Sequence, residues 1–308
     1  MKGPLFYAKI LLFGEYGIIK DSKGLSIPYN HFKGGLKNFP CASQDAEISN
    51  GEIKKFSVYL KTLDPQLVRF DFDSLEVDIE NGLHFESSIP QGYGVGSSGA
   101  LVAAIYEKYA QDKITVLENL SRERLMKLKA VFSAMESYFH GNSSGLDPLN
   151  SYLSLPILIH SQTHVTPTGI PSQGKGKRAV FLLDSGVAGE TAPMVKIFME
   201  SMKETAFQNM LQNKFIKLTD ACVDDFLSGN IKGLFSNTKA LSKVVLGHFK
   251  PMIPMKFHQI WKKGIDTNGY YLKLCGSGGG GYFLGFTEDI DQAKILLKDY
   301  KLEVVYQF

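Results

Sequence analysis

The sequence predicts an α+β protein built in two parts. Three observations lead there. Apolar residues alternate with polar ones in the first third, a pattern of antiparallel strands. A polar, glycine-rich stretch at 161–178 interrupts the chain near its middle. Beyond it, strand-like and helix-like segments follow one another without the unbroken βαβ rhythm of a doubly wound sheet. At 308 residues, 44% of them hydrophobic, the chain can fill two ordinary cores without disulfide or metal staples. The expected division is 1–175 and 176–308, with the last strand able to return to the first part.

Leu5 to Phe13 reads as a buried strand. Lys9 is the one charge in it, and its ammonium needs water or a partner. Gly14 ends the strand, and Gly17 to Ile19 reads as a short second one. Residues 20–50, rich in Gly, Ser, Asn, Pro and Lys, read as irregular with short strands at most. Phe56, Val58 and Leu60, then Leu75, Val77 and Ile79, alternate as strands do, with turns at Asp64-Pro65 and Asn81-Gly82. The second turn, before LHFESSI, reads as a hairpin.

A helix is expected from Ser98 or Gly99 through Tyr109, small and apolar on most sides. Ser121 caps the next, with Glu123 in its first turn. Leu125, Leu128, Phe132, Met135 and Phe139 form its apolar stripe, which ends at His140-Gly141-Asn142. A turn-rich segment, GNSSGLDPLNSYL, leads to the strand LPILI. After the divide come a strand at 179–186 and helices near 192–213, 215–228 and 230–247. Strands near 257–263, 270–275 and 282–286, a helix over 289–299 and a closing strand KLEVVYQF complete the chain.

Lys and Arg total 34 against 31 Asp and Glu, so the net charge of +3 does not suggest a nucleic-acid partner. The densest basic run, Lys175, Lys177 and Arg178, reads as a solvated connector. Cys41, Cys222 and Cys275 show neither metal spacing nor a disulfide framework, which fits a reducing compartment. The apolar start lacks a small-residue cleavage site. No apolar run approaches the roughly 20 residues a membrane span needs. A soluble cytoplasmic protein is the expectation.

Three segments carry chemistry. In PQGYGVGSSGALVAAIY (90–106), glycines at 92, 94, 96 and 99 permit close backbone approach, and Ser97 and Ser98 stand where a helix begins. The first amides of that helix have no intrahelical acceptors, and its dipole favours an anion, so the segment is built to cradle ATP phosphates. It is neither a Walker A nor a Rossmann fingerprint. Read alone, it also suits a flexible surface loop with a serine cap. In CGSGGGGYFLGF (275–286), five glycines in six positions imply close approach of a ligand or of another piece of backbone. In AMESYFHGNSSGLD (134–147), Glu136 lies near the apolar face of its helix and needs a cation or a salt bridge. Asp147 follows, either as a base or as a turn carboxylate before Pro148. Magnesium takes hard oxygens, and phosphate and water can complete what one or two carboxylates begin.

In order and content these segments resemble the GHMP kinases (galacto-, homoserine, mevalonate and phosphomevalonate kinases), and among them the mevalonate kinases most. YAKILLFGEYGII (7–19) resembles the first motif, PQGYGVGSSGALVAA (90–104) the second, CGSGGGGYFL (275–284) the third, and ESYFHGNSSGLD (136–147) the stretch from metal glutamate to catalytic aspartate. The resemblance implies an N-terminal ribosomal protein S5 domain 2-like domain and a C-terminal ferredoxin-like domain. It also implies ATP and Mg2+ as cofactors, a small-molecule alcohol as substrate, and a monomer or homodimer.

By the same resemblance, Lys9 is the motif lysine and Asp147 the general base. Ser98 and Glu136 would bind magnesium. Gly92, Gly94, Val95, Gly96, Ser97, Ser98, Gly99 and Ala100 would line the phosphates. Glu15, Tyr16, His140, Gly278 and Gly279 would be substrate-side or structural positions. His140-Gly141-Asn142 and Ser144-Gly145-Leu146-Asp147 favour mevalonate, giving 5-phosphomevalonate. The other readings are phosphomevalonate, homoserine or a sugar as acceptor, or a non-catalytic nucleotide-binding protein. The chain departs from the family at Tyr7-Ala8 (usually Pro-Gly), at Tyr16 (usually His, near the acceptor in mevalonate kinases), at Gly99 (usually Ala) and at Cys275-Gly276-Ser277 (usually Thr-Gly-Ala).

Overall fold

The computed structural model describes residues 4–38, 43–115 and 120–308; Cys41 lies outside them. The chain forms two compact units, each assembled from separate stretches. The first takes Met1–Lys9, Pro28–Pro90 and Gly96–Leu155; the second takes Ile10–Ile27, Gln91–Val95 and Pro156–Phe308.

Strand β1 (Phe6–Phe13) starts in the first unit and ends in the second, and a 3-10 turn (Gly17–Lys20) replaces the short strand expected there. Strand β2 (Gly24–Asn38) runs where irregular chain was expected. Its glycines signal crowding, not disorder: a Cβ on Gly34 would meet the Phe85 ring at 2.4 Å. Gly34 to Asn38 pair antiparallel with β3 (Leu83–Ser87).

The strands expected between 54 and 80 are helices. In α1 (Gln44–Leu60), the Ser43 side chain accepts from the Ala46 amide at 3.2 Å, and Ile53, Phe56, Ser57 and Leu60 are buried. In α2 (Phe72–Glu80), Asp71 caps Ser74, and Leu75 and Ile79 face inward. Val58 and Val77, which completed the alternating pattern, are 63% and 55% exposed. Asn81-Gly82 therefore joins a helix to a strand and does not turn a hairpin.

Helices α3 (Ser97–Tyr109) and α4 (Arg122–His140, capped by Ser121) follow as expected. The turn-rich segment after them contains α5 (Leu146–Leu153). Small residues bury α3 nearly all round, so α4 and α5 can pack closely on it.

In the second unit, Gly24 to Ser26 of β2 pair with β4 (Ile157–Ser161), which pairs with β5 (His164–Pro167). After β6 (Ala179–Asp184) come α6 (Thr191–Ser201) and α7 (Thr205–Met210). A π-helical turn at Leu211–Phe215 leads into α8 (Ile216–Ser228), and α9 (Ile231–His248) follows. The strand expected at 257–263 is α10 (Phe257–Thr267), whose buried Phe257, Trp261, Gly264 and Ile265 keep a helical spacing. Then come β7 (Tyr271–Leu274), β8 (Tyr282–Thr287), α11 (Ile290–Leu296) and β9 (Leu302–Gln307). An antiparallel sheet runs β7-β8-β6-β9, in which the closing strand pairs with β6. Among the described residues no helix is long and apolar enough to cross a membrane.

One charge pair lies inside this unit. Lys273, 3% exposed in β7, donates to Glu15, 258 residues away and 7% exposed, and to the Leu274 carbonyl at 2.9 Å. Removing one member of a buried pair strands the other charge, at a cost of about 3–5 kcal/mol, whereas apolar replacement of both is often tolerated. Lys273→Met is expected to lose stability of that order in denaturant titration, and Glu15→Leu/Lys273→Met to recover most of it. Equal stability of wild type and Lys273→Met would contradict this account.

Candidate active site

Three elements of the first unit converge on one point. Strand β1 supplies Lys9, 4% exposed. Helix α5 supplies Asp147 in its first turn, and Lys9 Nζ lies 2.9 Å from Asp147 Oδ1. The match has a geometric basis. Four residues of helix rise about 6 Å and two of strand about 6.6 Å, so α5 and β1 can touch at two places in step. The second touch is Ser151 Oγ, four residues after Asp147, donating at 2.8 Å to the carbonyl of Tyr7, two residues before Lys9.

The third element is the start of α3. Gly96, at φ +82°, precedes the helix, and a Cβ there would lie 3.0 Å from Lys9 Cγ. The first intrahelical bond runs from the Ala100 amide to the Gly96 carbonyl at 3.1 Å, which leaves the amides of Ser97, Ser98 and Gly99 outside the helical ladder. A Cβ on Gly99 would sit 2.7 Å from the carbonyl carbon of Asp147, so α5 approaches α3 backbone to backbone. Gly145 allows the same approach to α4, where a Cβ would meet the Lys129 carbonyl at 2.3 Å.

Beside this point α4 presents Glu136, 3% exposed. Ser98 Oγ donates to Glu136 Oε1 at 3.2 Å, and Ser143 Oγ donates to Oε2. His140 Nε2 lies 2.9 Å from Ser98 Oγ. One proton arrangement satisfies the row: the Nε2–H tautomer of His140 donates to Ser98, and Ser98 donates to Glu136. Burial, then the Asp147 carboxylate, push the Glu136 pKa up to about 8, against the pull of Ser143, Lys9 and Ser98. Burial holds His140 below its usual range; Asp147 opposes this and Lys9 adds to it. Ser143 was missed in the sequence. It is fixed by Ser133 Oγ, which donates to its carbonyl at 2.6 Å, and by the Gly145 amide, which donates to its Oγ at 3.1 Å.

The oxygens of Ser98 and Glu136 suit a hard divalent cation, and a cation there would offset the burial that now disfavours the carboxylate charge. Among the described residues no three His, Cys, Asp or Glu side chains gather as a self-sufficient metal cage. A cation here would need phosphate and water to complete its shell.

The remaining sequence candidates lie in the second unit. Gly94, at φ +76°, presses on Cys275: a Cβ would fall 2.3 Å from its carbonyl oxygen. The Gly92 carbonyl accepts from the Gly189 amide at 2.8 Å, and Val95 is buried. Gly278 and Gly279 lie against Met252, whose carbonyl accepts from the Gly279 amide at 2.7 Å. Glu15 pairs with Lys273, and Tyr16 donates to the Ser277 carbonyl at 2.6 Å. The residues of the first motif therefore part company, with Lys9 beside Asp147 in one unit and Glu15 and Tyr16 bonded within the other.

Residues 60–154 match the family model of the GHMP kinases N terminal domain. No curated protein sequence matches the chain. Among solved structures, mevalonate kinase of L. major in complex with R-mevalonate is 17% identical, covers 100% of this chain and 99% of its own, and superposes with a TM-score of 0.65. Phosphomevalonate kinase of Streptococcus pneumoniae with phosphomevalonate and AMPPNP is 12% identical over 98% and 99%, at 0.65. Lactococcus lactis galactokinase complexed with galactose is 11% identical over 98% and 92%, at 0.61. At such identities the likeness is one of fold.

Two outcomes follow from the geometry. Alanine at position 99 gains up to about 1 kcal/mol of helix propensity, but overpacking against the backbone at 147–148 costs about 1–3 kcal/mol. Gly99→Ala is thus expected to lower the melting temperature, and a rise would refute the tight α3–α5 contact. Glu136 binds its proton more tightly folded than unfolded, so its contribution to stability is whole below about 4.5, its ordinary value, and is lost as pH rises through about 8. Denaturant titrations from pH 5 to 8 are expected to show a decline in wild type that Glu136→Gln lacks. Parallel pH profiles would count against the raised value.

Proposed function

We propose that this chain, a member of the GHMP kinase superfamily, transfers the γ-phosphoryl group of ATP to the primary hydroxyl of mevalonate, giving 5-phosphomevalonate and ADP. The observation that carries the reading is the Lys9–Asp147 pair, 2.9 Å apart at the open amide end of α3, with Ser98 and Glu136 alongside. An acid, a lysine and an anion-receiving helix start are the parts that phosphoryl transfer requires.

Asp147 orients the acceptor hydroxyl and takes its proton as the new O–P bond forms. Lys9 holds that carboxylate in place and presents positive charge to the transferring group. The amides of Ser97 to Gly99 receive phosphate oxygens, aided by the helix dipole. Ser98 and Glu136 would hold magnesium, which would act as a Lewis acid and offset phosphate charge. His140 and Ser143 keep Ser98 and Glu136 aligned for that task.

Mevalonate is favoured by the run His140-Gly141-Asn142 and Ser144-Gly145-Leu146-Asp147, similar to that of mevalonate kinases. The solved relatives of this fold include proteins described with R-mevalonate, phosphomevalonate and galactose, so the acceptor is the step to test first. With ATP, magnesium and a panel of mevalonate, phosphomevalonate, homoserine and galactose, ADP release is expected with mevalonate. Release with another acceptor and none with mevalonate overturns the substrate. ATP binding with no release for any acceptor leaves a non-catalytic nucleotide-binding protein. Asp147→Asn is expected to lower kcat by about 10^2–10^4 while nucleotide binding persists; near-normal turnover would remove Asp147 from the proton transfer.

A further inference from the structure

Tyr16 occupies the position where the family resemblance puts an acceptor-side histidine, yet its bonds run elsewhere. Its backbone sits at φ +58°, a region a bulky side chain enters only when its surroundings enforce it. Its ring is 7% exposed and stacks on Phe198 at 4.6 Å, with Phe249 at 6.0 Å. Its hydroxyl donates to the Ser277 carbonyl at 2.6 Å. The preceding residue, Glu15, takes the ammonium of Lys273. Two consecutive residues of one turn thus grip the segment 273–277 at both ends, one by a side chain and one by the backbone.

That segment is the shelf on which Gly94 lies. A Cβ on Gly94 would fall 2.3 Å from the Cys275 oxygen, and one on Gly276 would fall 3.0 Å from Gly94 Cα. Gly94 meets the gripped segment backbone to backbone, so a shift at 277 has no soft side chain at that contact to absorb it. Residues 91–95 continue directly into Gly96 and α3, the stretch read above as receiving phosphate.

We propose that Tyr16 is a positioning residue for the nucleotide: by holding the Ser277 carbonyl it sets the 275–276 shelf and with it Gly94 of the glycine-rich loop. The inference rests on the kinase reading. It assigns residue 16 of this chain to the phosphate side of the reaction and not to recognition of the acceptor.

The test is Tyr16→Phe, which keeps the stacked ring and deletes only the donor. Two measurements are made on the full chain without any acceptor: calorimetric binding of magnesium and the non-hydrolysable analogue AMPPNP, and hydrogen exchange of the amides at 91–96, with those of β9 as reference. The expected result is binding about fivefold weaker, the loss of one ordinary hydrogen bond, with faster exchange confined to 91–96. A lower melting temperature with binding and exchange at 91–96 unchanged would mean a purely structural tyrosine and would overturn the inference. So would binding and exchange equal to wild type. Wild type that fails to bind AMPPNP with magnesium would overturn the kinase reading as well. Wild type that binds beside a Tyr16→Phe that binds equally would sink the role of Tyr16 alone.

Discussion

Lys9 and Asp147 meet because the chain omits side chains at the positions between and beside them. Gly96 leaves room for the lysine stem, Gly99 lets α5 rest on α3, and Gly145 lets the start of α5 rest on α4. The gaps at Gly99 and Gly145 are closed backbone to backbone, so neither can be widened by a rotamer change. The carboxylate, the lysine and the first amides of α3 then hold their spacing without a ligand. Preorganised charge of this kind is what phosphoryl transfer draws on, since little covalent work falls to the protein. Glu136 bears the electrostatic cost, a buried carboxylate next to another carboxylate.

Much of this site was legible in the sequence because its signals are local. A strand with one lysine, a helix opening on glycines and serines, and a helix with a carboxylate near its apolar stripe can each be read within about a dozen residues, and β1, α3 and α4 lie where they were expected. Ser143 was not legible: a serine in a polar turn has no pattern that announces its partner, and its value lies in reaching back one helical end to Glu136. The pairing of Glu15 with Lys273 was hidden for the opposite reason, a separation of 258 residues.

The misread fold elements share one cause. Over short stretches, apolar residues two apart occur on helices as well as strands, and burial decides which of them matter. Val58 and Val77 supplied the alternation but face solvent, while the caps at Ser43 and Asp71 carried the true signal. Strand β2 failed the other way. Its glycines and proline resembled a loop, yet a strand is held through its backbone, and Gly34 is small to admit the Phe85 ring.

The way the two units are threaded also bears on how the gene can be dissected. Residues 10–27 and 91–95 belong to the second unit but are encoded between stretches of the first. A fragment ending at residue 155 would carry those stretches as orphans. A fragment starting at 156 would keep Lys273 and Ser277 but lose Glu15 and Tyr16. No single cut yields two self-sufficient pieces, so fusion partners and affinity tags belong at the chain ends and not at any midpoint.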